Sequence, residues 1–348
     1  MSKKILVLLL LMTLLVGACG KKTEVIPEEQ EPPKQEELTE TVEEEAEVEE
    51  EGPLFPLTGT PAEEEIDTRA VAVMINNHPA ARQQSGLSQA DVVYEVLAEG
   101  DLTRFLAIFQ SEKPANIGPI RSARDYYIDL AKGYDSLYIA HGYSPKAHQM
   151  LKNGVIDHLN GMQYDGSLFK RSSAKKAPHN SYTTFENIEK GAESNGYEMT
   201  TSPEPLPFLT KEEVNELSGD TAEQLTISYS SNQNFVVEYE YDHDAEKYKR
   251  FSGGELTEDI EAGAPVLLDN IFIVETNHRV IDDEGRHDID LTSGGNGYLI
   301  QRGVSQEIEW KNVDGRILPY DGSKALGFVP GKTWINIVPS NDIVEMKK

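Results

Sequence analysis

Arg121-Ser122-Ala123-Arg124 sets two guanidinium groups three residues apart, directly after Gly118-Pro119. The spacing of Ile120, Tyr127 and Ala131 predicts a helix over 120–132, ending at Gly133. Both arginines would then lie beside its first turn, where unpaired N–H groups and the positive end of the dipole favour an anion. Arg104 sits in a strand that otherwise reads Phe105, Leu106, Ile108 and Phe109, and a charge there must be paired or open onto a cleft. His141, in His141-Gly142-Tyr143-Ser144-Pro145, follows a strand end, a place where open sheets bind ligands. Lys170-Arg171, Lys175-Lys176 and Pro178-His179-Asn180-Ser181 add a polar and basic loop. Arg104, Arg121, Ser122, Arg124, His141, Arg171, His179 and Asn180 are thus the candidate binding residues for an anionic or polyhydroxylated ligand. A competing reading pairs Arg121 and Arg124 with Asp91, Glu95, Glu99 or Asp125, as a purely structural link between sheet and helix.

The same residues admit a catalytic alternative. His141 or His179 would act as general base toward Ser144 or Ser181, within about 3 Å, with Arg121 and Arg124 stabilising an oxyanion in a cell-wall-directed hydrolase or transferase. No Gly-x-Ser-x-Gly, His-Glu-x-x-His, P-loop or Gly-x-Gly-x-x-Gly motif supports it. His141, His148, His158 and His179 are spaced too irregularly for a zinc site. Asp282-Asp283-Glu284-Gly285 lacks the alternating ligands of an EF-hand and reads as a hairpin turn. Neither a metal nor a cofactor is implied, and binding is favoured over catalysis.

The elements that must position these residues follow from hydrophobic patterning. Residues 69–76 form a continuous apolar run suited to a buried strand; 92–98 and 102–109 are strands joined at Glu99-Gly100-Asp101 as a hairpin. Strand 136–141 precedes a helix over 145–152 with proline in its first turn, and 186–193 is a further helix. After a proline-dotted boundary with a short helix at 211–217, the pattern turns to strands: 225–229, 235–241, 247–251, 266–274, 298–301, 306–310 and 334–338. The expected class is α+β (mixed α/β): an N-terminal mixed sheet with helices packed on it (58–200), a linker (201–223) and a smaller β-rich C-terminal domain (224–348).

The N-terminus carries an address. Lys3-Lys4 precede the apolar run Ile5–Val16, too short for a bilayer that needs roughly 20 apolar residues. Gly17-Ala18 then lead into Cys19, the single cysteine of the chain. That order predicts a signal peptide (1–18) removed before a cysteine that becomes lipid-modified and anchors the protein to the membrane, on its extracytoplasmic face. Acylation leaves no thiol for a disulfide or a nucleophile. Residues 21–51 hold fourteen Glu, three Lys and no aromatic residue, the composition of a disordered tether, assigned to 19–57 together with the cysteine. Residues 58–190 carry 14 basic and 16 acidic side chains, whereas 191–348 carry 13 and 30. With a formal net charge of −28, nucleic acid is excluded as a partner; the acidic second half offers a surface for a basic protein partner.

Several blocks carry a family resemblance: Ala81-Arg82-Gln83-Gln84-Ser85-Gly86-Leu87, Ala90-Asp91-Val92-Val93-Tyr94-Glu95, Thr103-Arg104-Phe105-Leu106-Ala107-Ile108-Phe109, Gly118-Pro119-Ile120-Arg121-Ser122-Ala123-Arg124 and Pro178-His179-Asn180. With the weaker Gly294-Gly295-Asn296-Gly297 and Pro330-Gly331-Lys332-Thr333-Trp334, they resemble the YerB-like lipoprotein family over about residues 58–345. Gln83 stands where the family has proline. The resemblance implies an N-terminal and a C-terminal domain and a lipoprotein location. It transfers no activity.

Overall fold

The computed structural model describes residues 52–347; the signal peptide, Cys19 and the acidic stretch through Glu51 lie outside them. β1 (Val71–Asn76), β2 (Val92–Glu99) and β3 (Leu102–Phe109) are almost entirely buried along their lengths. Such strands read as continuous apolar runs because both faces are covered. β2 and β3 form the expected hairpin through Gly100, whose φ of 54° suits a residue without Cβ. β4 (Leu137–Ala140) and β5 (His158–Asn160) continue the sheet, and β1, β4 and β5 run parallel to one another.

This sheet does not stop at the end of the N-terminal region. Strand Thr333–Val338 pairs in parallel with β2 on one side and with Asn270–Glu275 on the other. Gly295–Gln301, Val304–Val313 and Arg316–Asp321 then extend the sheet antiparallel, giving twelve strands in all. A second, six-stranded sheet contains Gln224–Ser228, Val236–Asp242, Lys247–Ser252 and Val344–Lys347. The fold is strand-rich, with a mixed sheet and few helices, and the regions expected as separate domains share one sheet.

Side-chain alternation sorts the core onto two faces. Ala72, Met74, Tyr94, Val96 and Leu106 pack under α1 (Asp125–Lys132) and α2 (Pro145–Lys152). Val73, Ile75, Val93, Phe105 and Ala107 pack with Phe185 and Ile188 of helix Phe185–Asn195 and with Ile227 and Tyr239 of the second sheet. Leu57 is fully buried and Pro56 O accepts from Leu206 N–H, so the ordered body begins before residue 58 and takes in the end of the expected tether.

Between the two sheets lies a buried polar network. Glu95 on β2 and Arg250 on Lys247–Ser252 pair at 2.7 Å, both fully buried. Trp334 Nε1 donates to the same carboxylate at 3.0 Å, and Thr103 Oγ1 donates to its other oxygen at 2.8 Å. The guanidinium lies over the Trp334 ring, 4.6 Å from its centroid. Burial disfavours the Arg250 charge, but Glu95 and Tyr239 outweigh it and its pKa stands above the ordinary value. Glu95→Gln, which strands the Arg250 charge, is expected to lower unfolding free energy by about 3–5 kcal/mol in urea denaturation. The apolar pair Glu95→Leu/Arg250→Met should lose clearly less, because no buried charge remains alone.

Candidate functional site

β1, β4 and β5 end together at Asn76, Ala140 and Asn160, and the candidate residues gather at these carboxyl ends. Residues 118–123 are not helical. They extend alongside the strand ends: Arg121 N–H donates to Met74 O at 2.9 Å, His141 N–H to Arg121 O at 3.0 Å, and Ile120 N–H to Ser181 O at 2.6 Å. The helix expected from Ile120 starts only at Asp125, with Arg124 as its N-cap. The helical reading of 120–124 is therefore corrected, and with it the picture of two arginines on one helical turn. Ile120, one of the residues whose spacing suggested the helix, is instead bridged to Ile75, and Ala123 to Tyr143; both are buried.

Arg104 and Arg124 follow the structural alternative. Arg104 Nη2 pairs with Glu99 Oε2 at 2.5 Å and its Nη1 donates to Ser122 O at 2.9 Å; Arg124 pairs with the other oxygen of Glu99. Both are buried beneath α1, out of reach of a ligand. The Ser122 hydroxyl donates to His141 O at 3.2 Å. Arg121 differs. It is half-buried and its guanidinium has no partner among the described residues, while burial, reinforced by the charge of Arg104, lowers its pKa to about 10.

Around Arg121 stand three imidazoles, each held below its ordinary pKa by burial first, with the Arg121 charge adding to the effect. They are neutral near pH 7, and the hydrogen-bond network assigns their tautomers. Arg171 Nη2, which can only donate, meets His141 Nε2 at 2.8 Å, so the ring proton sits on Nδ1 and is donated to Ser181 Oγ at 2.7 Å. Asn76 Oδ1 accepts from His78 N–H at 3.0 Å, which leaves Asn76 Nδ2 to donate to His179 Nδ1 at 2.9 Å. His78 Nδ1 accepts from Ala80 N–H at 3.1 Å. His78 and His179 therefore both carry their proton on Nε2. Their rings stack at 4.4 Å between centroids, inclined by 23°.

Arg171 and Asn180 serve the scaffold. Arg171 binds Asp165 through Nε and Nη2, both at 3.0 Å, and donates to Asn180 Oδ1 at 3.2 Å; Asn180 Nδ2 donates to Ser172 O. Of the eight sequence candidates, Arg121 and His179 keep free donors, His141, Arg171 and Asn180 brace them, and Arg104, Ser122 and Arg124 are structural. His78 and Asn76 escaped the sequence reading, although His78-Pro79 comes two residues after the end of a continuous buried strand, much as His141 follows β4.

The catalytic alternative finds no support in this geometry. A base must accept the serine proton, but His141 donates to Ser181, which is itself buried. Ser144 is occupied as the N-cap of α2, accepting from Ala147 N–H. His179 Nδ1 is taken by Asn76. Among the described residues no group of three or more His, Cys, Asp or Glu side chains is placed to hold a metal ion.

The chain matches the family described as "Protein of unknown function (DUF3048) N-terminal domain" over residues 57–198 and the corresponding C-terminal domain over 225–335. It belongs to that family. It is 50% identical over 295 residues to the Bacillus subtilis (strain 168) protein named "Putative lipoprotein YerB", an alignment covering 84% of this chain and 88% of that one. The crystal structure of the YerB protein from Bacillus subtilis superposes with a TM-score of 0.80, covering 85% of this chain and 99% of the other at 50% identity.

The division of labour among the arginines is open to measurement. Glu99→Ala leaves two buried guanidinium groups without a carboxylate and should lower stability by about 3–5 kcal/mol. Arg121→Ala should stay within about 1 kcal/mol of the parent in the same urea titration.

Proposed function

We propose that the protein is a lipoprotein, anchored through Cys19 on the extracytoplasmic face of the membrane, that binds an anionic component of the cell envelope through Arg121, His78 and His179. The signal-like order before Cys19 and the name of the Bacillus subtilis relative support the anchor. One observation carries the binding reading: a half-buried guanidinium without a partner among the described residues stands among imidazoles whose acceptor nitrogens are already taken. The remaining groups only donate. Such a set matches an anion and offers nothing to a cation. Residues beyond β1, β4 and β5 supply it, at the position where parallel strands of open sheets bind ligands.

Replacing Cys19 by Ala should move the protein from the membrane fraction to the soluble fraction and leave it without a lipid adduct by mass spectrometry. Sulfate, which stays dianionic, is a suitable probe of the anion site. Arg121→Ala or His179→Ala should weaken its binding about tenfold or more in calorimetric titration, the loss of a charge-assisted hydrogen bond.

The pH dependence has a definite sign. A bound anion favours imidazolium, so the histidine pKa values rise in the complex and protons are taken up on binding. Sulfate affinity should therefore increase from about pH 8 to about pH 5, and the slope should flatten in His78→Gln/His179→Gln. A flat profile in the parent protein would remove the histidines from the site.

A further inference from the structure

The donor cluster lies next to a hollow of about 300 Å³ whose walls include Tyr143, His148, Lys152, His158, Asn160 and Gln163. Two short segments belong to both. Residues 141–143 run from the His141 ring to the Tyr143 side chain. The turn at 160–161 joins the same two places: buried Asn160 accepts from Gly142 N–H at 3.0 Å and donates to Gly142 O at 3.2 Å, while a Cβ at Gly161 would collide with the His141 ring. Cluster and hollow are thus neighbours across the carboxyl ends of β1, β4 and β5.

Their chemistries differ in a way that describes a ligand. The cluster around Arg121 only donates. The hollow is mixed: Gln163 brings an amide with both donors and an acceptor, and Tyr143 a phenol. His158 Nδ1 is 3.2 Å from Ile156 O and so must carry the proton, which leaves Nε2 as an acceptor. A flat surface is present as well, because Tyr143 stacks on His148 at 4.1 Å with 5° between the rings, and Tyr143 remains 37% exposed. Hydroxyl groups need both donors and acceptors, and sugar C–H faces pack on aromatic rings. The forked Arg121 donor and two separate imidazole N–H groups suit the several terminal oxygens of a phosphoryl group better than the two coplanar oxygens of a carboxylate.

We infer that the ligand is a phosphate ester of a sugar or other polyol, with its phosphoryl group at Arg121, His78 and His179 and its hydroxylated part in the hollow at Tyr143. This inference rests on the anion-binding reading and adds the chemical class of the ligand. No bond is made or broken.

Calorimetric titration of the full chain in detergent micelles with glucose 1-phosphate, inorganic phosphate and glucose tests it, at about pH 8 where both phosphates are dianions. Glucose 1-phosphate should bind about tenfold more tightly than inorganic phosphate. Tyr143→Ala and Gln163→Ala alter exposed side chains, and circular dichroism checks that each remains folded. Both should bring the glucose 1-phosphate Kd toward that of inorganic phosphate and leave the latter unchanged. Arg121→Ala should weaken both phosphates together. Equal Kd values for the two phosphates in the parent protein would overturn the sugar-phosphate assignment while the anion site stands; so would a preference for glucose 1-phosphate that survives Tyr143→Ala and Gln163→Ala. Absence of binding by either phosphate would overturn both readings.

Discussion

A carboxylate and a guanidinium, both withdrawn from water, join the halves of this molecule. Glu95 projects from the large sheet and Arg250 from the smaller one, and each satisfies the other's charge where solvent cannot. Desolvation makes such a pair demanding: its value depends on every remaining donor and acceptor finding a partner. Here Trp334, Thr103 and Thr257 supply further partners, Arg250 Nε alone of the guanidinium nitrogens finds none among the described residues, and the two aromatic rings of Phe105 and Trp334 flank the guanidinium. The pair therefore fixes how one sheet lies on the other, because displacement along either strand would separate the charges. Arg82 reaches toward the same network through Asn77 and is itself depressed to about 10 in pKa, by burial and then by the charge of Arg250. The segment Asn76 to His78 at the end of β1 is thereby tied to the inter-sheet contact.

A second buried ionic group explains why only one arginine of the Arg121-x-x-Arg124 pair is left over. Glu99 engages Arg104 and Arg124 together beneath α1, so two positive charges share one negative one. Burial first, and then the field of Arg104, lowers the pKa of Arg121. A cation raised in energy in this way gains more than usual from an incoming anion, since binding relieves repulsion as well as forming contacts. The residues that look structural thus set the electrostatic condition of the residue that remains free.

Much of this architecture was legible in the sequence where the signal was local. The apolar runs at 71–76 and 102–109, the hairpin at Gly100 and the proline-led helix Pro145–Lys152 all follow from composition within a few residues. The reading failed where partners were distant. Strand Arg316–Asp321, buried only at Ile317–Pro319, and strand Val344–Lys347, with no fully buried position, carry no long apolar run. The three-residue β5 is too short to show any period. Residues 120–124 mimic a helix because their buried positions face a strand end on one side and a loop on the other. At the candidate site, residue type marked side chains that could bind, but which arginine would be paired depended on Glu99, and the tautomers depended on Asn76, Ala80 and Arg171. Three of these contacts, Glu99 with Arg124, Asn76 with His179 and Arg171 with His141, span tens of residues that spacing does not encode. Nor could spacing show that Trp334, 239 residues further on, lies beside Glu95.

That last contact bears on how the protein is made. Strand Thr333–Val338 is the seam between the part of the sheet containing β2 and the part containing Asn270–Glu275, yet ribosomes deliver it about 240 residues after its partners on β2. Until it arrives, two open strand edges and an uncovered face around Phe105 stand exposed, and the pairing it completes spans some of the greatest sequence separations in the chain. Folding here cannot proceed to completion segment by segment as the polypeptide emerges. The nascent chain has to remain extended or be shielded until residues 333–338 are available, a condition compatible with threading an unfolded polymer across a membrane before it collapses.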